Sequence, residues 1–184
     1  MALTENSDVV LGTPCPDFRL RSVEGATVSR DDFRDKAVLV VMFICNHCPY
    51  VQAVEDRIIA LAREYGPKGV QLVGICSNDP TGYPEDAPAK LLARSRAKGY
   101  GFPYLVDESQ DVARAFDAVC TPDIYVYDRN RRLAYHGRID DNWNDPKKVT
   151  RRELAAALDA LLAGERPARE QLHSIGCSIK WKAA

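Results

Sequence analysis

The sequence has no excess charge of either sign: 25 Lys and Arg stand against 26 Asp and Glu, for a formal net charge of −1. With basic residues dispersed among acidic ones, there is no basic face to neutralise phosphates or anionic lipid, so neither nucleic acid nor membrane is an expected partner. Long apolar runs are also missing. The longest, AVLVVMFI from Ala37 to Ile44, falls far short of the roughly 20 residues that span a bilayer. The opening MALTENSDVV lacks the basic and apolar regions of a secretory leader, which makes a cytoplasmic address the expectation. There is no internal repeat and no low-complexity segment. Nor does any second C-x-x-C or H-x-H spacing complete a zinc site, so no metal and no cofactor is expected.

What is present is apolar content of 46% in 184 residues, enough for one well-filled core. A single domain over residues 1–184 is expected, with the tail 165–184 packing on it. The six cysteines, Cys15, Cys45, Cys48, Cys76, Cys120 and Cys177, are too dispersed for a small disulfide scaffold. In a reducing compartment they act as small packing residues or as chemistry, and one pair has a chemical spacing.

Along the chain, DFRLRSVEGATVSRDDF reads as a hairpin around Glu24-Gly25. AVLVVMFI is a strand covered on both faces, and PYVQAVEDRIIALAREYG places Val51, Val54, Ile58, Leu61 and Ala62 at helical spacing. GVQLVGICS is a second buried strand. A Pro-rich loop over 78–88 precedes a helix through AKLLARSRAKGY. PYLVD is a short strand, and SQDVARAFDAV a helix capped by Ser109, with Ala113, Phe116 and Val119 on one side. DIYVYDRNRRLAYHGRI forms a hairpin turning at Arg129-Asn130, and KVTRRELAAALDALLAGE a last helix. The tail has no clear period. The order predicts an α/β fold, a mixed β-sheet flanked by helices with an N-terminal β-hairpin extension.

The chemical pair lies in FICNHCPYVQAVED, where the buried strand gives way to the helix. A helix starting near Cys45 would point its unsatisfied N–H groups and dipole at that sulfur and favour the thiolate. Protonated His47 beside it would act in the same direction. Cys48, three residues on, is within disulfide reach, and Pro49 sits in the first turn, where its missing N–H removes no helical bond.

On these residues the chain resembles the thioredoxin superfamily, in particular its peroxiredoxin-like branch related to the alkyl hydroperoxide reductase/thiol-specific antioxidant family. GTPCPDFRL is similar to that family's opening, CNHCP to the active-site position, CTPDIYVYD to the cis-proline segment and YHGRIDDN to the following hairpin; SIGCSIKWK is similar to tails of this branch. The resemblance implies a thioredoxin-like fold and a cis Thr121-Pro122 bond facing the cysteines, with the Thr121 backbone free to pair with an extended substrate. Two departures stand out. Leu39 occupies the position of thioredoxin's buried Asp, leaving no visible base for Cys48. Neither cysteine has the P-x-x-x-T-x-x-C frame of typical peroxiredoxins, which disfavours a peroxidase.

The expected function is therefore thiol-disulfide oxidoreduction through a mixed disulfide, with Cys45 attacking and Cys48 resolving. Asn46, His47, Thr121 and Pro122 would tune the site or bind substrate. Partners would be a protein or small-molecule disulfide substrate and an external thiol/disulfide electron partner. A thiol peroxidase and a non-catalytic redox-sensing module are the alternatives. Cys120 and Cys177 are candidate additional redox thiols; packing is the simpler reading of Cys120, and Cys177 serves only if the tail folds across the site. Cys15 and Cys76 read as packing residues. His136 and His173 show no partner, and the DDNW segment around Asp140, Asp141 and Trp143 reads equally as a solvated loop or as substrate rim.

Overall fold

The structure, a computed structural model, describes residues 3–183; Met1, Ala2 and Ala184, the ends of the expected domain, lie outside it. Ten strands and four α-helices follow in the order β1 (Leu3–Glu5), β2 (Arg19–Ser22), β3 (Thr27–Ser29), β4 (Val38–Phe43), α1 (Pro49–Tyr65), β5 (Val70–Cys76), α2 (Pro88–Lys98), β6 (Tyr104–Val106), α3 (Asp111–Phe116), β7 (Cys120–Thr121), β8 (Asp123–Tyr127), β9 (Leu133–His136), α4 (Glu153–Leu162) and β10 (Ile175–Ser178). Seven strands form one mixed sheet in the order β3-β2-β6-β5-β4-β8-β9. β4 runs parallel to β5 and antiparallel to β8 at the centre. Among the described residues no helix is long and apolar enough to cross a membrane.

The apolar run of β4 explains the layering. Successive side chains of a strand point to opposite faces, and all six here are buried. Val38, Val40 and Met42 join Val51, Val54, Ile58 and Leu61 of α1 and Leu154 and Leu158 of α4 in one core layer. Leu39, Val41 and Phe43 join Phe18, Phe33, Val112 and Phe116 in the other. Fully burying one such side chain contributes about 1.5–3 kcal/mol. The β2–β3 hairpin turns at Gly25, whose φ of +97° suits a residue without Cβ.

Two helices are shorter than the sequence period suggested. α3 stops at Phe116 because Asp117 turns left-handed, at φ 56°. Gln110 rather than Ser109 is at the N-cap position, though the Ser109 hydroxyl accepts from the Asp111 amide at 3.2 Å, and the Asp107 carboxylate accepts from the Val112 and Ala113 amides, at 3.4 and 2.9 Å. α4 begins at Glu153 rather than near Lys148, since Asp141 holds the Thr150 amide at 2.8 Å and keeps that segment non-helical. A further difference shapes the site. The aperiodic tail contains β10, which lies antiparallel between β1 and β7 in a separate three-stranded sheet.

Candidate active site

β4 ends at Phe43, α1 begins at Pro49, and the loop between them carries both cysteines. The helix therefore starts four residues later than Cys45, and Cys48 is its N-cap. The Val51 amide of the first turn faces the Cys48 sulfur without completing a cap bond. The positive end of α1 thus acts on Cys48, where the sequence pattern pointed to Cys45.

The dipeptide between the cysteines is held by a residue the sequence reading passed over. Asp86, 2% exposed, accepts from the Asn46 and His47 amides at 2.8 and 3.1 Å, from Asn78 Nδ2 at 2.8 Å, and pairs with His47 Nδ1 at 2.5 Å. The Asn46 side chain donates to the Glu85 carbonyl and the His47 ring stacks on Tyr83. His47 Nδ1 lies 3.7 Å from Cys45 Sγ. Its influence on that sulfur is opposed by the carboxylate it pairs with, so His47 is not the simple thiolate-stabilising cation expected.

Thr121 faces the sulfurs from the other side. Its hydroxyl is 3.4 Å from Cys45 Sγ, and its carbonyl accepts from Cys48 Sγ at 3.0 Å. The Thr121-Pro122 bond is cis. The Thr121 backbone, however, is not open to an extended ligand: β10 already pairs with it, Cys177 opposite Thr121.

All six cysteines are buried thiols. Cys45, which an attacking role would leave exposed, is 2% exposed, and Cys48 is fully covered. Burial, then the Cys48 sulfur and the Asp86 charge, push the Cys45 thiol well above its usual range. Cys48 is brought down to about 5, chiefly by the hydrogen bond from Cys45, against the opposing effect of burial and with help from Thr121, the Val51 amide and Cys177. The two sulfurs shift one another in opposite directions, Cys45 upward and Cys48 downward.

Cys177 lies within hydrogen-bonding reach of Cys48, and its thiol is pushed up to about 12 by burial and by that neighbour. Cys120 is paired with Ser178, on the strand face opposite to Thr121, and its Sγ reaches the Pro122 carbonyl at 3.7 Å. Burial, then Asp123, raises its pKa. Cys15 and Cys76 are likewise buried thiols pushed up to about 12 by burial. His136 bonds Asp123 and Asn6, each at 2.8 Å, and His173 bonds Asn6. The DDNW segment is clamped rather than solvated: Arg57 of α1 pairs with Asp140 and donates to the Asn142 and Trp143 carbonyls, and Trp143 packs on Tyr50. A cavity of about 100 Å³ lies there, bordered by Tyr50, Val54, Pro122, Ile139, Trp143 and Ile175.

Ligand atoms of Cys45, His47 and Asp86 lie within 4.8 Å of one another. The 2.5 Å His47–Asp86 contact is a hydrogen bond with no space for an ion between its atoms.

Residues 11–136 match the AhpC/TSA family model. The chain belongs to the AhpC/TSA family. The matched span contains Cys45, Cys48, Thr121 and Pro122 but not α4 or β10. A thiol-disulfide oxidoreductase ResA from Geobacillus thermodenitrificans is 24% identical over 71% of this chain and 70% of its own length. An uncharacterized conserved protein from Geobacillus kaustophilus, 46% identical, superposes with a TM-score of 0.96 over 100% of this chain and 98% of its own. The thioredoxin domain of a thiol-disulfide oxidoreductase from Bacteroides vulgatus, 16% identical, gives a TM-score of 0.59 over 70% of this chain and 89% of its own. The fold is thioredoxin-like, a mixed sheet flanked by helices.

Proposed function

We propose that this AhpC/TSA-family protein is a thiol-disulfide oxidoreductase with Cys45 and Cys48 as its redox couple. The observation that carries this is a C-x-x-C pair set between the start of α1 and the cis Thr121-Pro122 segment, with the Thr121 hydroxyl 3.4 Å from Cys45 Sγ and its carbonyl 3.0 Å from Cys48 Sγ. No carboxylate occupies the thioredoxin Asp position, where Leu39 is wholly buried. Cys45 gives up its proton and attacks one sulfur of a substrate disulfide; the substrate S–S bond breaks and the first thiolate departs, taking up that proton. Cys48 then attacks the Cys45 sulfur of the mixed disulfide. The Cys45–Cys48 bond forms, and the second substrate thiolate leaves with the proton Cys48 held.

A protein or small-molecule disulfide is the substrate class, with an external thiol/disulfide partner completing the cycle and no cofactor needed. Asn46 and His47 hold the loop, and Thr121 and Pro122 form the docking edge once β10 gives way. Six dispersed thiols suit a cytoplasmic, reducing setting. The direction of electron flow is read from the potential of the couple: a value near thioredoxin's roughly −270 mV marks a reductase and one near DsbA's roughly −120 mV an oxidant; equilibration with glutathione measures this.

Trapping tests the mechanism. Cys48→Ser retains the attacking sulfur but not the resolving one, and accumulates a mixed disulfide through Cys45, seen on non-reducing electrophoresis. Cys45→Ser abolishes both turnover and trapping. Equal trapping by the two variants, or no disulfide turnover by the wild type, overturns the assignment. Hydrogen peroxide consumption by the reduced wild type at a rate rivalling disulfide turnover would favour the peroxidase instead.

A further inference from the structure

Nothing in the proposed cycle uses Cys177, yet the tail brings it to the reacting sulfurs. β10 runs antiparallel to β7 with Cys177 opposite Thr121. Residues opposite each other in such a pair project to the same side, and on that side the Thr121 hydroxyl is 3.4 Å from Cys45 Sγ. The Cys177 and Cys48 sulfurs are near enough to shift each other's ionisation. Independently, Gly176 shows how closely the tail is seated. A Cβ placed there would stand 1.9 Å from the Thr121 carbonyl oxygen and 2.6 Å from its carbon, so only glycine allows this approach. The segment beyond is pinned as well: Ile179 N donates to Val119 O at 2.9 Å, Lys180 N to Asn78 Oδ1 at 2.8 Å, and Asp79 N to Lys180 O at 2.8 Å.

We infer that Cys177 is a third redox thiol of this site, receiving the disulfide from Cys45–Cys48 by exchange at Cys48. The inference rests on the reading of Cys45–Cys48 as the primary couple. In the exchange the Cys177 thiolate attacks the Cys48 sulfur. The Cys45–Cys48 bond breaks, the Cys48–Cys177 bond forms, and the displaced electron pair leaves on Cys45, which takes up the proton that Cys177 gave up. One disulfide is consumed and one is made, so no further oxidant or reductant enters. In the reduced site the anionic Cys48 sulfur is one of the causes that raise the Cys177 thiol; that contribution disappears once Cys48 is in a disulfide. The product fastens β10 covalently across the Thr121 edge and returns Cys45 to the thiol form. The tail is then held covalently over the docking edge in the oxidised protein, and reduction at Cys177 leaves only the β10–β7 pairing to hold it there.

The test uses full-length wild type, Cys45→Ser, Cys45→Ala, Cys177→Ser and Gly176→Val, each equilibrated in a glutathione redox buffer, acid-quenched, alkylated and mapped by mass spectrometry without reduction. The wild type should contain both Cys45–Cys48 and Cys48–Cys177 linked peptides. Both Cys45 variants should contain Cys48–Cys177, and Cys177→Ser only Cys45–Cys48. Gly176→Val, in which no thiol is altered but the tail cannot approach, should reduce the Cys48–Cys177 fraction at least tenfold relative to Cys45–Cys48. Absence of Cys48–Cys177 from the wild type and both Cys45 variants, with Cys45–Cys48 intact in Cys177→Ser, overturns the assignment of Cys177 and leaves the primary couple standing. Absence of Cys45–Cys48 from Cys177→Ser overturns both, because the exchange then has no donor disulfide.

Discussion

The Asp86 carboxylate collects hydrogen bonds from the amides of Asn46 and His47, the His47 ring and the Asn78 side chain. Burial alone would raise its pKa, but the bonds from His47 and Asn78 outweigh it and hold the group below the usual carboxylate value of 3.8. A depressed carboxyl contributes stability that is present above its unfolded pKa and lost as pH falls through the folded one. Asp86→Asn keeps the size but turns a donor toward donors. It should cost about 1–3 kcal/mol at pH 7, and the gap from wild type should narrow as pH falls below about 4. Urea unfolding of both proteins at pH 7, 5 and 3 checks this; an equal midpoint at pH 7 would show that the loop is held by other contacts. Asp86 could not be singled out in sequence, because it lies in the Pro-rich loop 78–88, far along the chain from the cysteines. Its one signal was an acid amid prolines.

The elements around the site are locked by a charge buried between two helices. Glu55 of α1 is 2% exposed and receives Arg94 of α2 through Nε at 2.7 Å and Nη2 at 2.9 Å, the Tyr100 hydroxyl at 2.6 Å and Lys98 Nζ at 3.3 Å. Removing Arg94 strands most of a buried charge. Arg94→Met should destabilise toward the lower end of the roughly 3–5 kcal/mol typical of a broken buried pair, since Lys98 and Tyr100 remain. Against burial, which raises it, the Arg94 bond and its neighbours hold the Glu55 carboxyl below 4.5. Its contribution is therefore present at neutral pH and lost on acidification below about pH 4. Denaturant melts of Arg94→Met and Arg94→Met/Glu55→Gln form the check, with the double variant recovering part of the loss. A double variant no better than the single one would place the cost in packing. The helical stripe of Val51, Val54, Ile58 and Leu61 was legible from its spacing, and Glu55, four residues after Val51, lies on the same buried face. A charge on an apolar stripe was the sign of a buried partner, but nothing local named Arg94.

At the scale of the whole molecule, the small sheet β1-β10-β7 joins segments from near both chain ends at the candidate site. β1 has three residues and β7 two, while β4 and β5 lie inside the main sheet with buried residues on both sides. Local opening follows buried contacts and pairing. Amides of 172–183 should therefore exchange with deuterium at least tenfold faster than those of 38–43 and 70–76 in the reduced protein. Hydrogen-exchange mass spectrometry reads this directly. Equal protection would mean that the tail opens only with global unfolding and that substrate reaches the sulfurs by another path.

The sequence by itself determined the strand and helix periods, the hairpin turns and the position of the C-x-x-C between β4 and α1, because these depend on alternation of side chains a few residues apart. It did not determine where the helix field falls, since a helix start is set by backbone geometry over single residues, and moving it from Cys45 to Pro49 turns the first-turn amides toward Cys48. Nor did it reveal that Asp86 faces the His47 ring, that Thr121 is already paired, or that Cys177 stands beside Cys48. Those contacts join residues 39, 56 and 129 positions apart. Only the folded chain brings them together, since burial in two core layers and strand pairing at the β7 edge, rather than local preference, choose which distant side chains meet.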